Sequence, residues 1–474
     1  MSRGRLRAVA VAAAVAGLAI AVLPEVALAH GLVGRQDLPI PRWLFAWGAA
    51  AVLVVSFVAL AVLWPRPRLE DTSERPLARV PAALEVLCGA LGVAAFAAVV
   101  YAGLAGTQSG AANLAPTVIY VLFWVGLPVL SALLGDVFAA FSPWRALARA
   151  TAWVAGRAGA GVPAPMAYPA ALGRWPAALG ILAFAWVELV YSGRDDPSTL
   201  ALLALAYAAI QLVGMSLYGI NAWTRNADAF AVCFHLFSLL SPLHWGARTL
   251  FARPPLSGAP HLVVGAGTVA LLCVMIGTTS FDGFSQGRLW SSQIVPDLLA
   301  RFVDLGFSQQ TALELTFTIG LLAAVGFVAG LYRLGVMGMR SVGGHGAVDL
   351  AGRFVHTLIP IALAYVVAHY FSLLAYQGQA VAFLVSDPLG DGSDLLGTAS
   401  ATIDYGVIGA TSIWYVQVAA LVIGHAAGLT LAHDRALVVY RRVRDATRSQ
   451  YWMLAVMVAF TSLGLFLLSA AAQE

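Results

Sequence analysis

The stretch FVHTLIPIALAYVVAHYFSLLAY, residues 354–376, decides the fold of this chain. It contains no Asp, Glu, Lys or Arg over 23 residues. A helix rises about 1.5 Å per residue, so this length covers a hydrocarbon core of about 30 Å. A run of this kind is typical of a transmembrane helix, and its two histidines, His356 and His369, stand out within it.

Similar apolar segments lie on both sides of this stretch. Ten of them follow the amino-terminal region, each near the length that crosses a bilayer: 43–64, 82–105, 116–136, 175–192, 198–220, 261–281, 312–333, 354–376, 411–432 and 451–470. The stretch Ala229–Leu240 is apolar but short, and we predict a re-entrant or interfacial helix there rather than a span. The sequence therefore predicts an all-α polytopic membrane bundle.

Composition supports this class. The chain of 474 residues is 60% hydrophobic and 11% charged, with a mean hydropathy of +0.83, whereas soluble domains carry roughly 25% charged residues. These values exclude a soluble globular enzyme, a disordered chain and a nucleic-acid-binding protein. The expected partners are the lipid bilayer and a small-molecule substrate or ion. No connection is long enough to form a separate domain, so residues 30–474 are predicted to be one membrane domain.

Residues 1–29 have the pattern of a secretory signal peptide. Arginines open the chain, an apolar core runs from Ala8 to Leu23, and Ala27-Leu28-Ala29 fits a cleavage site. Cleavage would leave His30 as the mature amino terminus. The alternative is an uncleaved first helix, which gives the same orientation downstream.

The arginines predict the orientation, and all 27 basic residues are arginine. With the mature amino terminus outside and ten spans, most arginines lie inside, as the positive-inside rule expects. The exceptions are Arg35, Arg42, Arg194, Arg288 and Arg301. We therefore predict a multi-pass protein of a bacterial plasma membrane with both mature termini outside.

Ionisable residues inside spans are candidates for function because a charge in hydrocarbon is costly. Helix depth places Glu188, His369 and Gln417 at one level, with Asp282 just above. Glu188, His369 and Asp282 are ligand types for a divalent metal that would activate water. The alternative is that these residues only hydrogen-bond between helices.

Two further sites are predicted from histidines. His356, His433 and Asp434 share the inner level and are expected to pair there. His30, as a free amino terminus, would chelate copper if a second histidine lay nearby, although the outer loops offer none. A copper or redox partner protein is therefore a third functional hypothesis.

Several strings carry a family resemblance: Ala29–Pro39 (AHGLVGRQDLP), Phe141–Arg145 (FSPWR), Phe281–Ser285 (FDGFS), and Gly424–Leu429 (GHAAGL) with Ala432–Arg435 (AHDR). As a set they resemble bacterial multi-spanning membrane proteins of the fenitrothion hydrolase family. The resemblance covers nearly the whole mature chain. It implies hydrolysis of an aryl phosphotriester, and it brings no catalytic residues to assign.

Two main functions remain open from the sequence. The first is a membrane-embedded hydrolase in which Glu188, His369 and Asp282 act as acid and base or gather a metal. The second is a transporter in which Glu188 and His369 form a proton or ion relay.

Overall fold

The computed structural model describes residues 42–70, 72–159, 164–342, 347–440 and 442–471. The proposed signal peptide and His30 lie outside these residues. The helices, in chain order, are α1 Arg42–Leu63, α2 Ala82–Ala105, α3 Leu114–Leu134, α4 Val137–Phe141, α5 Pro143–Arg157, α6 Trp175–Leu189, α7 Pro197–Tyr218, α8 Ile220–Asn226, α9 Ala229–Ser238, α10 Thr268–Ser285, α11 Val295–Asp304, α12 Gln309–Arg340, α13 Ala347–Phe354, α14 Ile359–Gln377, α15 Val381–Leu384, α16 Ala410–Val439 and α17 Val443–Ala471.

The helical membrane class is confirmed. Among the described residues, seven helical stretches are long and apolar enough to cross a bilayer: Ala82–Ala105, Leu114–Leu134, Pro197–Tyr218, Thr268–Ser285, Gln309–Arg340, Leu350–Leu384 and Ala410–Val439. Shorter apolar helices occur at Trp47–Leu63, Trp175–Leu189 and Ala229–Ser238. The total of ten spans stays a prediction.

The bundle is organised around α10, α14 and α16. Helix α14 packs along α16, and α10 packs on α6, α12 and α14, while α17 and α1 close the opposite side of α16. The short helix α9 lies inside the protein, with eight of its side chains buried. It packs on α3 and α6, so the predicted short helix is present and is enclosed by protein.

Helix α10 begins later than predicted, at Thr268 rather than at residue 261. Gly267 stops the helix from extending backwards. Its φ is +77°, and a Cβ there would lie 2.5 Å from the backbone nitrogen of Trp175. Only glycine adopts this conformation at so close an approach.

A small antiparallel sheet was not predicted. Strands β1 Arg75–Arg79, β2 Leu243–Trp245 and β3 Thr249–Ala252 pair in the order β1-β3-β2. They come from loops that precede α2 and follow α9. The sheet joins two loops that are far apart in sequence at one end of the bundle.

Candidate functional site

The centre of the site is the carboxylate of Asp282 on α10. Its Oδ2 lies 2.8 Å from Nε2 of His369 and accepts a hydrogen bond of 2.7 Å from the Tyr370 hydroxyl. Both partners lie on α14, so the three side chains connect two helices of the membrane bundle. Hydrogen bonds to a charged group are stronger than neutral ones, and this carboxylate has two.

The sequence of α10 explains how Asp282 is held. The first half of the helix is apolar and buried, and Phe281 is fully buried among aromatic side chains. The following hydroxyls bond within the helix: Thr278 donates to the Val274 carbonyl and Ser280 to the Ile276 carbonyl. Those polar groups are therefore satisfied locally, and Asp282 is free to engage α14.

Helix α14 presents His369 and Tyr370 side by side. The two rings are consecutive in sequence, their centroids are 4.6 Å apart, and their planes are inclined by 76°. Asp282 contacts Nε2 of the imidazole. Nδ1 lies on the side of Gly283, 3.6 Å from the position that a Cβ on this glycine would occupy. The two ring nitrogens of His369 therefore have different surroundings.

Glu188, near the end of α6, is the second acid of the site. Its carboxyl interacts electrostatically with Asp282 and with Arg194. The indole of Trp124 lies close to both Glu188 and the Tyr370 hydroxyl. Glu188 thus lies near enough to Asp282 for the charges of the two carboxyl groups to interact.

Trp124 reaches this position from a π-helical segment. Residues Thr117–Gly126 within α3 form a π-helix and pack against α14. Helical segments with this wider winding are rare and occur often at functional sites. The same segment carries Tyr120, whose hydroxyl donates to the Arg194 carbonyl.

The central pair is only partly buried. The side chain of His369 is 26% exposed and that of Asp282 13% exposed. The protein alone therefore does not fully cover either side chain. A carboxylate that holds an accessible imidazole is suited to proton transfer.

The predicted metal set is not assembled here. Across the described ranges, no group of three or more His, Cys, Asp or Glu side chains is placed to hold a metal ion. Asp282 and His369 form a pair, and a structural zinc site needs four protein ligands and a catalytic one three. We therefore derive no step through a metal. The predicted His30 copper ligand lies outside the described residues.

Other polar side chains within or near the spans form separate contacts. Gln211 accepts a hydrogen bond from Trp223 Nε1 at 2.8 Å, and Glu314 accepts one from the Ser192 backbone N–H at 3.2 Å. Within the described part of the chain, Gln417 takes no part in the hydrogen bonds that join Asp282 to His369 and Tyr370.

The prediction that His356 pairs with His433 and Asp434 is wrong, because His433 and Asp434 bond to other residues. Asp434 accepts hydrogen bonds from Trp64 Nε1 and from the backbone N–H groups of Arg68 and Leu69. His433 Nε2 lies 3.1 Å from the Trp64 carbonyl. These two residues therefore hold the segment after α1, whereas His356 lines a cavity together with Arg435.

The sequence does not predict the roles of two residues. Tyr370 gives no signal of its own, because Tyr365 and Tyr376 lie in the same apolar stretch. Asp228, fully buried, begins α9 by accepting from the Ala231 N–H, and it also accepts from Trp144 Nε1 and the Tyr207 hydroxyl. Its place just before an apolar helix is the signal of an N-cap.

No protein-family model, curated protein or solved structure matches this chain. The resemblance to the fenitrothion hydrolase family therefore stays a prediction.

Proposed function

We propose that this protein is a membrane transporter that moves protons through the Asp282 cluster, which we define as Asp282, His369, Tyr370 and Glu188. The observation that supports the proposal most is the double engagement of Asp282 Oδ2 by His369 at 2.8 Å and Tyr370 at 2.7 Å. Ionisable groups inside membrane bundles are costly to bury, and they mark substrate, proton and ion pathways.

The chemistry of a relay follows from these side chains. His369 binds a proton on Nδ1 while Asp282 stabilises the imidazolium through Nε2, and Tyr370 keeps the carboxylate in place. Release of that proton restores the neutral ring. Glu188, whose carboxyl interacts electrostatically with Asp282, is the other acid of the relay, and it accepts the proton from His369 after it has released its own.

Two of the cavities in the described part of the chain lie away from Asp282. One of about 490 Å³ is next to His356 and Arg435, and one of about 40 Å³ is next to His425. Neither is lined by a residue of the Asp282 cluster. The proposed proton relay depends on neither cavity.

The test is proton flux into liposomes that contain the purified protein and a pH-sensitive dye, driven by a potassium diffusion potential. We expect flux above that of empty vesicles, and at least a tenfold loss in Asp282→Asn and His369→Gln, since a placed acid or base contributes about 10²–10⁴-fold. Asp228→Asn is the matched control, because this buried carboxylate also bonds a tyrosine and a tryptophan but has no histidine partner. Vesicles without protein-dependent flux, or equal losses in all three variants, would contradict the relay.

A second candidate, hydrolysis, is favoured by one observation. Asp282 orients His369 through one ring nitrogen and leaves Nδ1 facing Gly283, which is the arrangement of a general base. In this reaction His369 takes a proton from water, the water oxygen bonds to phosphorus, and the aryloxide leaves with the P–O bond electrons. The assay is release of 3-methyl-4-nitrophenol from fenitrothion. Turnover that disappears in Asp282→Asn supports it, and absence of turnover rejects it.

A further inference from the structure

A second polar site lies at the end of the bundle where α13 leads into α14. A cavity of about 490 Å³ opens there, lined by the charged or polar residues Arg353, His356 and Arg435 and by the apolar residues Pro260, Leu262 and Val264. It contains no residue of the Asp282 cluster. Its volume is in the range of small-ligand sites, roughly 300–1,000 Å³.

The charge of this cavity is positive. Two arginines line it, and none of its lining residues in the described part of the chain is acidic. Arg435 is held from behind: its Nε lies 3.1 Å from a carboxylate oxygen of Glu70, and one terminal nitrogen donates to the Pro260 carbonyl at 2.6 Å. The guanidinium is therefore positioned before any ligand arrives, which lowers the entropy lost on binding.

His356 supplies an independent indication of a ligand. The residue is only 2% exposed, and its Nε2 is buried without a hydrogen-bond partner among the described residues. Buried polar atoms are nearly always paired in folded proteins. An unpaired imidazole nitrogen in the lining of a cationic cavity is explained by a ligand that hydrogen-bonds to it.

We propose that this cavity binds a phosphate ester that carries a hydroxyl or amine group near the phosphate. Arg353 and Arg435 would bind the phosphate oxygens, for which guanidinium geometry is well suited. His356 Nε2 accepts a hydrogen bond from the hydroxyl or amine. Leu262 and Val264 contact the carbon skeleton. Two sources have this chemistry: the headgroup of an anionic phospholipid and a soluble organic phosphate.

The test measures binding to the purified full chain in nanodiscs of phosphatidylcholine. One arm titrates glycerol 3-phosphate, and the other replaces part of the lipid with phosphatidylglycerol. Thermal unfolding detects binding of either ligand, because a ligand that binds only the folded state raises the melting temperature. Arg353→Gln is the main variant, since Arg353 is exposed, and His356→Asn is the second. Arg248→Gln, an exposed arginine of β-sheet loops outside the cavity, is the matched control.

We expect at least one ligand to raise the melting temperature of the wild type. Its apparent Kd should increase at least tenfold in Arg353→Gln and in His356→Asn, and should be unchanged in Arg248→Gln. A response to phosphatidylglycerol alone identifies a lipid site, and a response to glycerol 3-phosphate identifies a soluble ligand. The proposal is overturned if neither ligand raises the melting temperature of the wild type, or if Arg353→Gln and Arg248→Gln bind the ligand equally well.

Discussion

Asp282 is the residue on which the account depends, because one of its oxygens serves two donors from α14. Tyr370→Phe removes one donor and leaves the His369 contact of 2.8 Å in place. We expect a loss of about 1–3 kcal/mol in stability, as for a hydrogen bond to a charged group, with part of the proton flux retained. Thermal unfolding together with the liposome assay measures both. A flux as low as that of Asp282→Asn would assign Tyr370 a direct role in proton transfer.

Another prediction concerns Asp394, in the loop between α15 and α16. Asp394 accepts hydrogen bonds from the Ser386 hydroxyl at 2.6 Å and from the Ala399 N–H at 3.0 Å, and these bonds hold its pKa below the usual value. Because the pKa of Asp394 is lower in the folded loop, its ionised form stabilises the loop at pH values above about 3.9, the pKa of an unfolded aspartate. This stabilisation is lost as the pH falls through the lower pKa of the folded state.

Amide hydrogen-exchange protection of residues 386–399 measures this effect. We expect protection to be constant near neutral pH and to fall below about pH 4. In Asp394→Ala the protection should be low throughout and should lose this pH dependence. Equal protection in the variant and the wild type would show that the Asp394 bonds do not order the loop.

Helices α14 and α16 pack closely where they cross. A Cβ at Gly424 would lie 2.3 Å from the Cβ of Ala364, and one at Gly428 would lie 2.9 Å from the Thr357 carbonyl oxygen. Glycines four residues apart allow helix backbones to approach in membranes. This contact holds α14, and therefore His369, against the rest of the bundle.

Gly424→Val should destabilise the protein by about 1–3 kcal/mol, because overpacking forces the helices apart. The matched control is Gly330→Val on α12, which belongs to a second pair of glycines four residues apart, Gly326 and Gly330. A Cβ at either position meets no atom within 4 Å. Thermal unfolding of both variants is the measurement. Equal melting temperatures would contradict the packing argument.

At the scale of elements, the sequence predicts apolar helices well and predicts their connections poorly. The bounds of α2 agree with the predicted 82–105, because burial in lipid needs a continuous apolar run. The start of α10 and the β-sheet depend on contacts between distant residues, such as Gly267 with Trp175 and Arg75 with Ala252. No local pattern contains such contacts.

The same division applies to the candidate site. Helix depth predicted that Glu188, His369 and Asp282 lie near one level, because depth follows from sequence position in a span. The direct bond between Asp282 and His369 depends on the rotation of α10 and α14 about their axes. That rotation is set by packing over the whole bundle.

For the whole molecule, the remaining prediction is its orientation. Arg248 is expected inside, and Leu395, which is 68% exposed, is expected outside. In a Cys88→Ala background, Leu395→Cys should react in intact cells with a membrane-impermeant maleimide, and Arg248→Cys should react only after lysis. Cys233 and Cys273 are each 1% exposed and should stay unlabelled. The reverse labelling pattern would invert the proposed topology.

The central claim is that Asp282 and His369 act as a pair, in which the Asp282 carboxylate stabilises the His369 imidazolium when the ring takes up a proton. Infrared difference spectroscopy of the purified protein, titrated between about pH 4 and pH 9, tests this most directly because it resolves carboxyl and imidazole bands across their ordinary titration range. We predict that the wild type has a carboxylate band and an imidazole band that change together. Both should disappear in Asp282→Asn and in His369→Gln and persist in Asp228→Asn. Identical difference spectra in the wild type and Asp282→Asn would contradict the account.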